Sequence, residues 1–438
     1  MANLLVGPYH ARIAAQSTPT PATVQRTYLT LTVLSTLAAS FIWGINTLFL
    51  LDAGLSNTQA FAANAFFTVG SMVFEVPTGV VADVRGRKLS FLLGAATLFV
   101  STLLYLYLWD VSAPFWAWAA ASAFLGLGFT FFTGAVEAWL VDALNHTGFT
   151  GALDAVFAKA QVVAGASMLL GSVAGGFVAQ WTSLGVPYFI RAALLVLTFG
   201  VAFFMMHDLG FTPAQSTGPV DEVKRVLRGS IDNGWKNRPV RWLMLSAPFT
   251  MGVMVYAFYA MQPYLLQLYG DPTAYGVAGL AAAIVAGAQI VGGLSVPLVR
   301  KSFQYRTQAL LFATTVSAGA LVFIGLTSSL FVAIGFLVIW GLVFAAAMPM
   351  RQAYINGLIE SEQRATVLSF DALMGSSGGV ALQPLLGRSA DVWGYSTSYF
   401  ISGAVQLFAL PFILLAKRER SPSDLTADPA QPSDSPPA

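Results

Sequence analysis

The chain has 438 residues, of which 56% are hydrophobic and only 10% are charged, and its net charge is +2. A typical soluble domain carries about 25% charged residues, so a mean hydropathy of +0.69 leaves too little polar surface to cover a water-soluble body. This composition excludes a soluble enzyme, a nucleic-acid-binding protein and a disordered scaffold. The absence of cysteine from the sequence excludes disulfides, thiol catalysis and thiolate metal sites.

Twelve apolar stretches are long enough to cross a bilayer as helices, each of which needs about 20 residues. In the first half they are predicted at Tyr28–Leu51, Asn57–Ala82, Leu89–Trp109, Phe115–Leu144, Ala155–Trp181 and Tyr188–Met206. In the second half they are predicted at Trp242–Tyr269, Ala274–Val299, Gln308–Leu326, Leu330–Asn356, Ala365–Leu386 and Ser398–Ala416. Because the strands of a membrane β-barrel are short and alternate in polarity, the stretches predict an all-α polytopic membrane protein with twelve transmembrane helices.

The charges of the connecting loops predict the orientation of the chain. Lys and Arg cluster at 85–88, 224–241, 300–306 and 417–420, whereas the opposite loops carry Asp52, Asp110, Asp271 and Asp391, with Arg388 as the exception. Since basic loops stay in the cytoplasm, both termini are predicted to be cytoplasmic. The predicted domains are a tail (1–27), a six-helix bundle (28–207), a cytoplasmic loop (208–241), a second six-helix bundle (242–416) and a disordered tail (417–438).

The two halves of the chain resemble each other. The sequence Gly-Leu-Gly-Phe at 126–129 recurs as Gly-Leu-Val-Phe at 341–344, and at similar spacings Glu75 aligns with Gln289 and Glu137 with Gln352. Several matches at similar spacings predict two pseudo-symmetric six-helix bundles. Such repeats in membrane proteins place a central path at their interface.

The junction between the second and third stretches carries the most specific motif. Residues 75–88 read Glu-Val-Pro-Thr-Gly-Val-Val-Ala-Asp-Val-Arg-Gly-Arg-Lys. This segment resembles the signature loop of the major facilitator superfamily, in particular of its bacterial drug/proton antiporters, although Val84 stands where the family usually has Arg. The resemblance implies two helical bundles that alternate access, a monomer, and no enzymatic activity.

The same loop predicts a conformational latch, that is, contacts that hold the two halves in an outward-open state. Arg87 needs an anionic partner, and Asp142 at the end of the fourth stretch is the best placed, as the family resemblance also implies. Asp83 is predicted to meet a helix N-terminus of the other half, and Gly79 to permit close helix approach. The predicted latch residues are Gly79, Asp83, Arg85, Gly86, Arg87, Lys88 and Asp142.

Ionisable residues inside membrane spans are costly and suggest function. Glu75, Glu137, Arg351 and Asp371 are predicted to lie in the cytoplasmic half of the membrane. We hypothesise that Glu137 pairs with Arg351 across the two halves as a gate, and that Glu75 or Asp371 carries a proton. The alternative is that each charge only satisfies a local backbone or helix-end group. Arg191 is predicted near the outer face in a structural, snorkelling role.

Residues 171–176, Gly-Ser-Val-Ala-Gly-Gly, resemble the antiporter motif of drug/proton exchangers, with Ser172 in place of its Pro. A helix-packing groove explains these glycines equally well. Aromatic and amide residues predict a cavity for amphipathic organic molecules, although packing against lipid or protein is the alternative for each of them. The predicted cavity residues are Trp43, Asn46, Phe49, Tyr256, Tyr259, Gln262, Gln289 and Gln352.

Together these features predict a secondary active transporter for a small organic molecule in the lipid bilayer of a bacterial inner membrane, most simply by proton-coupled efflux. Import by proton symport or by uniport is the alternative within transport. No cofactor or metal is predicted, and the proton is the expected coupling ion. An intramembrane serine protease is the rival class, since residues 375–378 read Gly-Ser-Ser-Gly, but the only histidines, His10, His146 and His207, are in the tail or at helix ends.

Overall fold

The computed structural model describes residues 19–132, 134–213, 224, 228, 234–360 and 364–426. Within these ranges the regular structure is helical, apart from one isolated β-bridge between Tyr305 and Leu425. Most of the predicted N-terminal tail, much of the central loop and the last part of the C-terminal tail lie outside the described residues. The predicted all-α class is confirmed.

Six spans form the first half of the chain. They are α1 (Pro21–Trp43, continued after a break by Asn46–Asp52), α2 (Asn57–Arg85), α3 (Arg87–Asp110), α4 (Phe115–Phe132, continued by Ala135–His146), α5 (Leu153–Trp181) and α6 (Val186–Met205). The first helix begins upstream of the predicted Tyr28, because Pro21 suits its first turn and the Thr20 side chain accepts a hydrogen bond from the Thr23 amide.

The second half repeats the pattern. Its spans are α7 (Arg238–Tyr269), α8 (Tyr275–Leu294, continued by Val296–Ser302), α9 (Arg306–Leu326), α10 (Leu330–Asn356), α11 (364–393) and α12 (395–407, continued by Ala409–Arg418). The helical run Arg364–Leu407 divides at Gly394, whose φ of 81° and ψ of 167° are not helical. In the described chain, ten helices are long and apolar enough to cross a membrane, or eleven with the bent pair in α1. Dividing the last of them at Gly394 gives the predicted twelve.

The buried side chains show where the two halves meet. We call the end of the bundle that carries the basic loops 85–88 and 300–306 the basic end, and the other the opposite end. At the basic end, one core cluster contains Leu140 and other first-half residues, and a second contains Tyr354 and other second-half residues. At the opposite end, first-half Phe61 packs in a second-half cluster, and Leu266 of α7 packs in a first-half cluster. The halves are therefore joined at the opposite end, while the core at the basic end is separate in each half.

The predicted disorder of the C-terminal tail is wrong for its first residues. Asp424 is buried, and its carboxylate accepts hydrogen bonds from the Thr307 amide at 2.8 Å and the Thr307 hydroxyl at 2.7 Å. The Thr426 amide donates to the Gln304 carbonyl at 3.1 Å. These contacts attach 421–426 to the start of α9, whereas 427–438 lie outside the described residues.

Candidate functional site

At the opposite end, a carboxylate of the second half caps a helix of the first half. Asp391 of α11 accepts hydrogen bonds from the Asn57 amide at 2.9 Å and the Thr58 amide at 2.8 Å. These amides belong to the first turn of α2, where unpaired N–H groups and the helix dipole favour an anion. The Tyr395 hydroxyl also donates to the Asn57 side chain. The sequence located Asp391 in an outer loop but gave no sign of this cross-half contact.

Gln262 makes a second contact between the halves. Helix α1 bends by 48° between Trp43 and Asn46, and the break frees backbone groups inside the protein. The Gln262 side chain donates to the Trp43 carbonyl at 2.8 Å and accepts from the Thr47 amide at 2.9 Å. Gln262 is fully buried. The prediction that it lines the cavity is therefore wrong for this conformation, because both ends of its amide are already used.

Two of the predicted cavity residues are part of the packed core. Phe49 is buried and its ring centroid lies 4.0 Å from that of Tyr188. Tyr256 is also buried, and its hydroxyl is 2.5 Å from the Ser398 hydroxyl. For these two residues the packing alternative applies, because α1 and α7 turn these side chains towards neighbouring helices.

The other predicted cavity residues differ in how accessible they are. Asn46 is mostly buried and donates to the Asn64 side chain at 2.9 Å. Trp43, Tyr259, Gln289 and Gln352 keep accessible surface, with Trp43 36% exposed and Gln352 exposed. The role of these four in the cavity stays a prediction.

The loop between α2 and α3 holds its charges within the first half. Arg87 is paired with Asp83, and its Nε lies 3.9 Å from an Asp142 oxygen. The sequence missed a third acid, Asp208, which follows α6 and accepts from the Lys88 amide at 2.9 Å. It lies against Gly86, whose φ of 110° suits glycine.

The latch is not engaged across the halves in this conformation. Asp83 is paired with Arg87 of its own half instead of a helix N-terminus of the other half. Among the described residues, no neighbouring helix comes within 4 Å of the position that a Cβ on Gly79 would occupy. Arg85 is exposed, and the Lys88 ammonium donates to the Phe203 carbonyl at 2.7 Å. Both predicted contacts to the second half are absent because the halves are separate at the basic end.

The hypothesised gate between Glu137 and Arg351 is absent. Arg351 instead pairs with Asp371 of the same half, with its Nη2 2.6 Å from an Asp371 oxygen and 3.0 Å from the Leu243 carbonyl. Both side chains of this pair are largely buried. Glu137 and Glu75 are exposed. Asp371 reaches Arg351 because α10 and α11 belong to one bundle, whereas Glu137 lies in the other.

The glycines of the antiporter-like segment let α5 approach two helices. A Cβ on Gly175 would lie 1.9 Å from the Phe41 carbonyl oxygen of α1, and one on Gly176 would lie 2.8 Å from the Tyr275 carbonyl oxygen of α8. The first contact is within the first half and the second crosses to the second half. These contacts agree with the helix-packing interpretation.

Arg191 does not snorkel. It is only 6% exposed, and its Nε donates to the Thr102 hydroxyl of α3 at 3.1 Å. The sequence pattern could give its distance from the end of α6, but not the direction of its side chain.

Comparisons with known proteins agree with this architecture. The sequence model of the Major Facilitator Superfamily matches residues 28–381. No curated protein matches the chain by sequence.

Solved structures of transporters have the same fold. The nucleoside transporter NupG superposes with a TM-score of 0.69 at 10% identity, covering 90% of this chain and 99% of NupG. A bacterial homologue of the human lysosomal transporter Spinster, in an inward-facing and unoccupied conformation, gives 0.70 at 16% identity, covering 94% and 100%. A D-xylose–proton symporter gives 0.64 at 15% identity, covering 90% and 96%. At these identities the likeness shows the fold alone.

Proposed function

The chain belongs to the major facilitator superfamily, and we propose that, as a membrane transporter and not an enzyme, it exports a small amphipathic organic molecule in exchange for protons. In this proposal the protein is a monomer in a bacterial inner membrane, with both termini in the cytoplasm. Alternating access between the two bundles moves the substrate, and the proton is the coupling ion without any cofactor.

The position of Glu75 carries the proposal. Phe61 of α2 packs against second-half Tyr256, with ring centroids 4.6 Å apart. Glu75 lies about four helical turns further along the same helix, so it is on nearly the same face and is directed towards the second half. It is exposed, and no cation pairs with it in the described chain. A carboxylate in this position would be open to the cytoplasm when the basic end is open, and enclosed when the halves close there.

Asp371 suits proton transfer less well. Both oxygens of its carboxylate are held by the Arg351 guanidinium, so the carboxylate is already occupied by a cation of its own half. We therefore propose Glu75 as the carrier of the proton, and Asp371 as the partner that keeps Arg351 in place.

The proposal can be tested in everted membrane vesicles whose lumen is acidified by respiration and followed with a pH-sensitive dye. Amphipathic cations, anions and neutral compounds, sugars and amino acids are added one at a time. We expect at least one compound to reduce the acidity with wild-type protein. Glu75→Gln should abolish this response, because glutamine cannot bind and release a proton. The matched control is Glu360→Gln, an exposed glutamate after α10, which should respond as the wild type does.

Two outcomes would contradict the proposal. A full response in Glu75→Gln would exclude Glu75 as the proton carrier. In vesicles without respiration, a compound that acidifies the lumen would move with protons and not against them, which would indicate symport and import.

A further inference from the structure

Helix α6 buries a guanidinium without an acidic partner. Arg191 is 6% exposed, and its single hydrogen bond within the described chain goes from Nε to the Thr102 hydroxyl. The carboxylates of the described residues form no ion pair with it. Its Nη1 and Nη2 make no hydrogen bond there, and they are not among the unpaired atoms that are sealed from solvent. These two charged donors therefore keep a small accessible surface.

The groups around Arg191 are tyrosine hydroxyls. Tyr188 and Tyr105 of the first half and Tyr259 of the second half lie near it. The Tyr188 hydroxyl donates to the Asn46 side chain at 3.1 Å, and the Tyr105 hydroxyl is 2.6 Å from that of Ser122. These neutral groups supply dipoles but no negative charge. Since an unpaired charge inside a membrane protein is costly, an anion bound beside Arg191 would stabilise it.

A further donor belongs to the same network. Asn46, whose Oδ1 accepts from Tyr188, donates in turn from Nδ2 to the side-chain Oδ1 of Asn64 at 2.9 Å. The Nδ2 of Asn64 is buried and has no hydrogen-bond partner. The network thus has unused donors in two places, and both would suit an acceptor-rich group.

Trp43 connects this network to accessible surface. Trp43 is 36% exposed, and its ring centroid lies 5.2 Å from that of Phe258, which in turn lies 5.5 Å from the Tyr259 ring centroid. An apolar or aromatic body could lie against these rings, with its charged end directed towards Arg191.

From this arrangement we infer that Arg191 binds the carboxylate of the transported molecule, so that the substrate is an amphipathic organic anion. The guanidinium would donate from Nη1 and Nη2 in the two-point geometry that matches a carboxylate. The inference rests on the proposed transport function and names its substrate class.

A binding experiment tests the inference without a proton gradient. Purified protein in lipid nanodiscs is heated with aromatic and aliphatic monocarboxylates, among them 2-naphthoate, and each acid is paired with its neutral primary amide. A ligand that binds the folded state raises the melting temperature. We expect at least one acid to raise it and its amide to have no effect. Arg191→Gln should bind that acid roughly 10- to 100-fold more weakly, as the loss of a charged hydrogen bond implies.

Controls separate a binding role from a structural one. Arg191→Lys keeps the charge and should retain part of the affinity, and Arg388→Gln, which removes an exposed arginine, should bind as the wild type does. Without ligand, Arg191→Gln should melt at the same temperature as wild type or higher, because it removes an unpaired buried charge.

Several results would overturn the inference. In the ligand panel, these results are that no acid stabilises the protein or that an amide binds as well as its acid. In the variant, they are that Arg191→Gln binds the acid with wild-type affinity or melts at a lower temperature than the wild type without ligand. If an acid binds through Arg191 but no compound moves protons in vesicles, the transport proposal fails and the binding site stands. If protons move only with cations or neutral compounds, the transport proposal stands and the inferred anionic substrate class fails.

Discussion

Arg351 of α10 lies where α7, α10 and α11 meet, and its side chain contacts both of the other helices. Its guanidinium binds Asp371 of α11 with both Nη atoms, and it also donates to the Leu243 carbonyl of α7. Because the pair is largely buried, each charge depends on the other for its stability. The pair therefore holds three helices of the second half together at the basic end.

Removing one partner of this pair should destabilise the protein more than removing both. We expect Arg351→Gln or Asp371→Asn alone to destabilise the protein by about 3 kcal/mol, because each leaves an uncompensated charge. The double variant should recover much of that loss. The measurement is the free energy of unfolding in detergent, arranged as a double-mutant cycle.

A second double-mutant cycle, with Glu137→Gln and Arg351→Gln, serves as the control. The changes that these two substitutions cause in the free energy of unfolding should add. A large coupling energy between Glu137 and Arg351 would instead support the gate across the halves.

Sequence reasoning found these charges but not their partners. The order of residues along a span gives the depth of a charge in the membrane, and Arg87 and Asp142 could be matched because both end their spans at one face. Arg351 had acids at similar depth on several helices, and which one it meets depends on how the helices are rotated and packed. Gln262 was misassigned for the same reason, since the break in α1 that it binds leaves no clear mark in the sequence.

At the scale of elements, the internal repeat continues beyond the spans. Asp208 follows α6 and accepts from the Lys88 amide in the first turn of α3. Asp424 follows α12 and accepts from the Thr307 amide in the first turn of α9. Each bundle thus ends in a carboxylate that caps its own third helix. The sequence analysis did not predict the second cap, because the segment after α12 is rich in Pro, Ser and Asp and was therefore predicted to be disordered.

Both caps should contribute to stability in the same way. We expect Asp424→Ala and Asp208→Ala each to lower the free energy of unfolding by about 1 kcal/mol, the usual cost of removing a helix cap. A chain that ends at Arg420 should lose more, because it also lacks the hydrogen bond between Thr426 and Gln304.

Thermal or chemical unfolding in detergent measures these losses, with Asp110→Ala, an exposed acid at the opposite end, as the control. Wild-type stability in Asp424→Ala would mean that the contact with Thr307 adds nothing to the fold.

At the scale of the whole molecule, the contacts between and within the two halves belong to one of the two states that a transporter must visit. Asp391 and Gln262 join the halves at the opposite end, and the charges of the basic end pair within each half. To open the opposite end, the protein must break those contacts and separate the closely packed α5 and α8. The latch loop around Asp83 would then approach the second half.

Glycines at the contact of α5 and α8 make the packing of the opposite end sensitive to any added side-chain volume. A Cβ on Gly279 would lie 2.5 Å from the Ser172 carbonyl oxygen and 2.9 Å from the Gly176 Cα. Gly279→Val cannot fit there without moving one half away from the other. We expect this variant to shift the protein towards the state that is open at the opposite end.

A single cysteine can report the shift, because the chain has no cysteine of its own. Ala282 is 2% exposed and faces Gly44 of α1 across the halves, so Ala282→Cys should react slowly with a polar maleimide. In the Gly279→Val background the reaction should be about tenfold faster or more, which corresponds to about 1.4 kcal/mol in the balance of states. The control is Gly287→Val on the same helix, where an added Cβ comes within 4 Å of no neighbouring helix in the described part of the chain. Equal labelling rates in the two backgrounds would show that the contact of α5 with α8 does not hold the opposite end closed.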